Sequence, residues 1–266
     1  MGDAVSEIQR DYLVQLAAKG RRFDGRGLDE YRPISIQTGL VKQAEGSCRV
    51  RLGRTDVVCG IKLGQGTPYG DAPDQGVLQT NAELIPMASP DFEVGPPSPE
   101  SIELARVVDR GIRESKTLNM GKLCITPGEK VWMAFIDIHV VDYDGNLFDA
   151  ASLAALGALM TGHVPWSKVE GKGDDQPLPV EHQPVMCTSV KIGDGLFMDP
   201  SRLEEKVGGP RLSVSVDENG DLRAMQKGLS GGLAKSEVGT IINRSRIKAA
   251  ELRSLLLAHV KESQGR

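Results

Sequence analysis

Residues 131–141 alternate apolar and polar side chains as a strand does, and residues 150–160 are small or apolar helix formers, so the chain must reverse sharply between them. The octet Asp144-Gly145-Asn146-Leu147-Phe148-Asp149-Ala150-Ala151 makes that reversal. An apolar strand here turns directly into a small-residue helix. That geometry points the first free N–H groups of the helix at a common spot, the usual seat for an anion. Here that seat carries Leu147 and Phe148, which offer no side-chain donor, and then Asp149. Asp149 reads as the N-cap, its own carboxylate taking the N–H groups. Like charges about 4 Å apart repel by roughly 1 kcal/mol in bulk water and about 4 kcal/mol at an effective dielectric near 20, before a phosphate's second charge is counted. The turn is built for an anion yet argues against phosphate chemistry in this chain.

Elements can be placed around this junction. Residues 6–18 put Ile8, Tyr12, Leu13, Leu16 and Ala17 near one helical face, with Gly20 as the C-terminal cap. Runs at 34–36, 48–52 and 57–63, the last two joined by a turn at 53–56, predict an antiparallel meander. The Gly- and Pro-rich stretches 64–76 and 89–99 read as loops, and a helix follows over 99–118 with Pro99 in its first turn. Residues 167–180 have the composition of a linker. The pattern then restarts, with strands at 185–192, 196–198, 211–216 and 222–226, a hairpin at Gly220, and a closing helix over 233–260. That helix stacks Val238, Ile241, Ile242, Ala249, Leu252, Leu256 and Val260 in one stripe. The expected organisation is a leading helix at 1–20, a first half at 21–166, the linker at 167–180 and a second half at 181–266.

Composition excludes several classes. A net charge of −4 argues against a protein that coats nucleic acid indiscriminately, so RNA contact needs a local basic patch. With 4% aromatic residues a base-stacking platform is not expected, and contact should run through the phosphodiester backbone. Cys48, Cys59, Cys124 and Cys187 lie scattered without a C-x-x-C spacing, and no charged-then-apolar leader opens the chain; both favour a reducing, cytoplasmic home. No apolar run approaches the roughly 18 residues of a membrane span, so no membrane partner is expected.

The helix at 99–118 offers the patch. Arg106, Arg110 and Arg113 stand at i, i+4 and i+7, on one face, and guanidinium groups fork onto phosphate oxygens bidentately. The competing reading is that Glu103 and Asp109 hold them in ordinary surface ion pairs worth under about 1 kcal/mol each. Other motifs carry less. Gly228-Leu229-Ser230-Gly231-Gly232 fits the G-x-S-x-G esterase pattern, but His259 and no aspartate follow it. Gly232-Leu233-Ala234-Lys235-Ser236 ends like a phosphate-binding loop with Ala234 where Gly is required. Gly64-Gln65-Gly66 opens no helix. His139, His163, His182 and His259 show neither i, i+4 pairing nor a cysteine at ligand spacing, so neither metal nor cofactor is expected.

Several segments together are similar to one family: Arg22-Phe23-Asp24-Gly25-Arg26, the hairpin from Gly46-Ser47 through Gly53-Arg54-Thr55 to Gly60, and Asp142-Tyr143-Asp144-Gly145. In this order and spacing, residues 22–257 resemble the RNase PH family of phosphorolytic exoribonucleases, most closely the catalytically silent ring subunit of the archaeal exosome. The resemblance implies an α+β, RNase-PH-like fold (ribosomal-protein-S5-domain-2-like) with two strand-then-helix halves. In active members the matching turn has Ser/Thr and Arg, which hold phosphate, at the positions of Leu147 and Phe148. Asp199 and Glu205 match two acids that active members use in acid–base and metal-assisted chemistry. Read here as surface acids around Pro200, they are given no catalytic role. The resemblance further implies a hetero-hexameric ring with an active RNase-PH-like subunit, whose active site this chain completes. It also implies RNA-binding cap proteins, and single-stranded RNA in the pore touched by Arg106 and Arg110, with Arg113 added from helix geometry. The rival readings are a phosphate-dependent 3'-to-5' exoribonuclease using Asp199 and Glu205, and an assembly protein with no RNA role.

Overall fold

The computed structural model describes residues 7–171 and 173–264, so Ser6 of the leading helix and Lys172 of the linker lie outside the described residues. Helix α1 (Glu7–Ala18) ends at Gly20, whose φ of +64° and N–H to the Ala17 carbonyl make the expected cap. Its buried side is Leu13 and Ala17, packed near Val190, Ile192 and Phe197; Ile8 and Tyr12, expected on the same face, are exposed.

The meander is β1 (Ile34–Thr38), β2 (Gly46–Leu52) and β3 (Thr55–Gly66), which takes in the first residues of the expected loop. Then come β4 (Val77–Leu84), α2 (Pro99–Glu114), β5 (Cys124–Thr126) and β6 (Lys130–Asp142). The first sheet runs β1-β2-β3-β6-β4, with β5 on β6; β4 lies parallel to β6 and the other neighbours are antiparallel. Ser98 caps α2 by accepting from the Ser101 N–H, and Pro99 occupies its first turn as expected. The helix stops at Glu114 rather than 118, because Lys116 turns left-handed at φ +54°.

Helix α3 (Leu147–Met160) starts three residues before the position read from sequence. From Phe148 to Leu159 every residue is buried, which its run of Ala, Leu and Gly permits: Gly157 comes so close to β2 that an added Cβ would sit 2.6 Å from Cys48 Sγ. The presumed linker holds β8 (Gln176–Pro177), which pairs with β7 (His163–Val164) just ahead of it. Strands β9 (Val185–Ile192), β10 (Gly195–Met198), β11 (Arg211–Val216) and β12 (Leu222–Gly228) form a second sheet in the order β10-β9-β11-β12, and a short α4 (Arg202–Val207) precedes β11. Helix α5 (Lys235–Gln264) buries Ile241, Ala249, Leu252, Leu256 and Val260, with Val238 and Ile242 half-buried along the expected stripe. One continuous core joins both sheets through α3. No helix of the described residues is long and apolar enough to cross a membrane.

Candidate functional site: the turn before α3 and the arginine face of α2

The turn at 144–149 is knitted to distant segments. Asn146, not Asp149, holds the N-cap position, in a left-handed conformation (φ +56°) and without a side-chain capping bond. Asp149 therefore lies inside the first helical turn, a correction to the sequence reading. Its buried carboxylate accepts from Tyr31 Oη (2.7 Å), Asn146 Nδ2 (2.8 Å), Thr188 Oγ1 (2.7 Å) and the Thr188 N–H (3.0 Å). Burial raises its pKa to about 6 although all these donors pull it down. Phe148 is buried with the Arg211 guanidinium 4.2 Å above its ring centre, and Leu147 is half-buried against the core.

Of the pair read as surface acids, Glu205 is half-buried and Asp199 is withdrawn from the surface altogether. Asp199 is completely buried, at φ +48°, and carries two guanidinium groups. Arg32 donates Nε to Oδ2 (2.9 Å), Nη2 to Oδ1 (2.7 Å) and its backbone N–H to Oδ2 (2.8 Å); Arg26 Nη1 donates at 2.8 Å and Asn146 Nδ2 at 2.9 Å. Burial alone would raise the carboxyl's pKa, but Arg32 outweighs it and holds the group below the usual carboxylate value. Arg32 also donates to the carbonyls of Asp144 (2.6 Å) and Gly145 (3.2 Å), tying the turn to the acid. Beside it, Arg22 forks onto buried Glu204 (2.9 and 2.5 Å) and donates to the Met198 and Asp199 carbonyls. Glu205 faces the turn directly, accepting the Asn146 N–H (2.9 Å) and Tyr143 Oη (2.7 Å).

Sequence reasoning missed Arg22, Arg26 and Arg32 as partners of these acids, since up to 182 residues separate the members of a pair. One signal was readable. Ser201-Arg202-Leu203-Glu204 is a capping box, which forms in full and sets the start of α4.

The arginines of α2 differ from one another. Arg113 is held by Asp109 (both contacts 3.0 Å) and donates to the Leu78 carbonyl, and Arg110 donates to Gln226 Oε1 at 2.9 Å. Glu103, which the competing reading set beside Asp109 as a partner of these arginines, is instead drawn to Arg211 at 2.5 Å. Arg106 is exposed and makes no hydrogen bond or ion pair among the described residues.

The remaining motifs are quickly placed. Ser230 is exposed beside Leu229 at φ +60°, and no hydrogen bond joins it to a histidine among the described residues. His182 groups with Asp217 and Glu218, with ligand atoms within 4.8 Å of one another, which spacing along the chain did not reveal. Both oxygens of Asp217 are already engaged, one by Arg223 and the other by the Asn219 and Asp221 N–H groups.

Two sheets sharing a core through one buried helix, with a strand–turn–helix seat closed by an acid-bearing loop, define an α+β protein of the RNase-PH-like fold. Residues 30–165 match domain 1 of the 3' exoribonuclease family, RNase PH, and residues 182–245 match its domain 2. The chain belongs to this family. It is 49% identical over 254 residues to the exosome complex component Rrp42 of Methanocella arvoryzae, covering 96% of this chain and 97% of that one. With the protein of the same name from Thermococcus gammatolerans it shares 48% identity, covering 97% of each. Among solved structures it superposes at a TM-score of 0.90 and 47% identity on a chain of the Archaeoglobus fulgidus exosome with RNA bound to the active site, covering 93% of this chain and 97% of that chain.

Proposed function

We propose that this chain is a non-catalytic component of an exosome RNA-degradation complex. It alternates with an active RNase-PH-like subunit in a hetero-hexameric ring, structures that partner's active site, helps seat RNA-binding cap proteins, and works in the cytoplasm. Residues 167–180 join its two halves. The observation that carries this reading is a family scaffold whose acids are spent on the protein itself. Asp199 is fixed in its charged form by Arg32 and Arg26, so it has no proton to give, and Glu205 already holds the turn's N–H. The names of the relatives and the likeness to an exosome chain support the assembly.

Arg106 and Arg110 contact single-stranded RNA in the ring pore through its phosphates, and Arg113 contributes from beside Asp109. Arg106 supports this most directly, because its guanidinium has no partner among the described residues to give up on binding. Replacing Arg106 and Arg110 by Glu in the assembled complex lowers RNA affinity and flattens the slope of log K against log salt by about 1.4, the share of two phosphate contacts on a single strand. A slope that stays unchanged in filter-binding or anisotropy titrations contradicts the RNA role and leaves a pure assembly protein.

A further inference from the structure

We propose that Glu205 is the resident anion of the turn: its carboxylate fills the seat at the start of α3, and it is this residue that shuts inorganic phosphate out. The inference rests on the reading of the chain as catalytically silent and assigns that silence a cause other than the apolar pair Leu147 and Phe148.

The surroundings of Glu205 are those of a bound oxyanion. One carboxylate oxygen takes the backbone N–H of Asn146 at the N-terminus of a fourteen-residue helix, and the other takes the phenol of Tyr143. Burial raises the carboxyl's pKa, while the Tyr143 phenol, the Asn146 N–H and the charges of Arg211 and Arg32 oppose that rise. Arg211 is 8% exposed and spends Nη2 on Glu103, while its Nε has no hydrogen-bond partner among the described residues. A buried guanidinium N–H left open beside a helix N-terminus marks a place that would accept more negative charge than it holds. The carboxylate is delivered there by construction. The Ser201 capping box fixes the start of α4, the Arg202 N–H docks on the Asp144 carbonyl at 3.0 Å, and Tyr143 is clamped between Phe92 (ring centres 5.3 Å apart) and the Arg202 guanidinium. Leu147 and Phe148, by contrast, are turned into packing, so making them polar would leave the carboxylate where it is.

The test follows the melting of the full chain in inorganic phosphate against chloride of equal ionic strength. Wild type shows no phosphate-specific shift. Glu205→Ala, less stable in chloride, gains a saturable rise of about 3–6 °C at phosphate ten times its dissociation constant. The double variant Leu147→Ser, Phe148→Arg with Glu205 intact gains none. If Glu205→Ala does not fold, Glu205→Gln keeps the shape without the charge and takes its place, with a smaller rise expected. Absence of a phosphate response in whichever Glu205 variant folds, or a response in the double variant, overturns the proposal. Either result leaves the silent reading standing. That reading falls instead if wild-type chain, which binds no phosphate here, shortens RNA by itself.

Discussion

Replacing Arg32 by methionine lowers the folding free energy at pH 7 by about 3–5 kcal/mol, the range for stranding one partner of a buried ion pair. Arg32 is 8% exposed and Asp199 is fully buried, so water cannot compensate for the lost guanidinium. Arg26, Asn146 and the backbone N–H of residue 32 remain to the carboxylate, and the Asp144 and Gly145 carbonyls each lose one donor, keeping only the Arg202 N–H and the Thr55 hydroxyl. The effect depends on pH in a definite direction. In wild type the pKa of Asp199 is held down, so its contribution is complete above the unfolded value of about 3.9 and fades as pH falls through the folded value. Without Arg32, burial acts with less opposition and that contribution shrinks or reverses. The gap between the two proteins is therefore widest near neutrality and narrows below about pH 4. Urea melts across this range measure it; a gap under 1 kcal/mol at pH 7 would refute the network as a support of the fold.

Gly145→Ala strikes the same place sterically. Gly145 stands at φ +90°, a region that costs an alanine about 1–3 kcal/mol, and its missing Cβ leaves room for backbone rather than for a movable side chain. A Cβ there would meet Arg202 N and Ser201 C, and would lie 2.6 Å from Pro200 O. The turn and the start of α4 must part, which loses the Arg202 N–H bond to Asp144 and misplaces Glu205. The expected loss is about 3–5 kcal/mol. Gly239→Ala is the control: it sits in α5 with nothing within 4 Å of the added carbon, and should be neutral or gain up to about 1 kcal/mol. Similar urea midpoints for the two variants would show that the close approach at Gly145 is not required.

The elements legible in the sequence were those whose pattern is local. β9 and β11 occupy the residues expected of them, and the α5 stripe is buried, because period alone specifies such segments. β4 was not legible. Gln79, Thr80, Asn81 and Glu83 make it polar, and its parallel partner β6 lies beyond a whole helix. Six-residue α4 is too short for periodicity, although its capping box was visible. At the site, the sequence placed the strand-to-helix turn, but not the side chains from other segments that meet it. Asp149 looked like an N-cap because caps are read from neighbours in sequence, whereas its partners Tyr31 and Thr188 come from 118 and 39 residues away. Asp199 and Glu205 looked like surface acids for the same reason: acids around a proline turn are ordinarily solvated, and only the fold brings Arg26, Arg32 and Asn146 to them. Of the three arginines on α2, spacing could place the face but not show that Arg113 is already engaged by Asp109 and Leu78.

The central claim is that this chain lends a ring its architecture and an RNA-facing surface while doing no phosphorolysis. The most direct measurement is shortening of 5'-labelled single-stranded RNA in inorganic phosphate, with the purified chain alone, its RNase-PH-like partner alone, and the two together. The account predicts no shortening by this chain alone and strong shortening once the partner is present. Phosphate-dependent shortening of the RNA by this chain in the absence of any partner would contradict it.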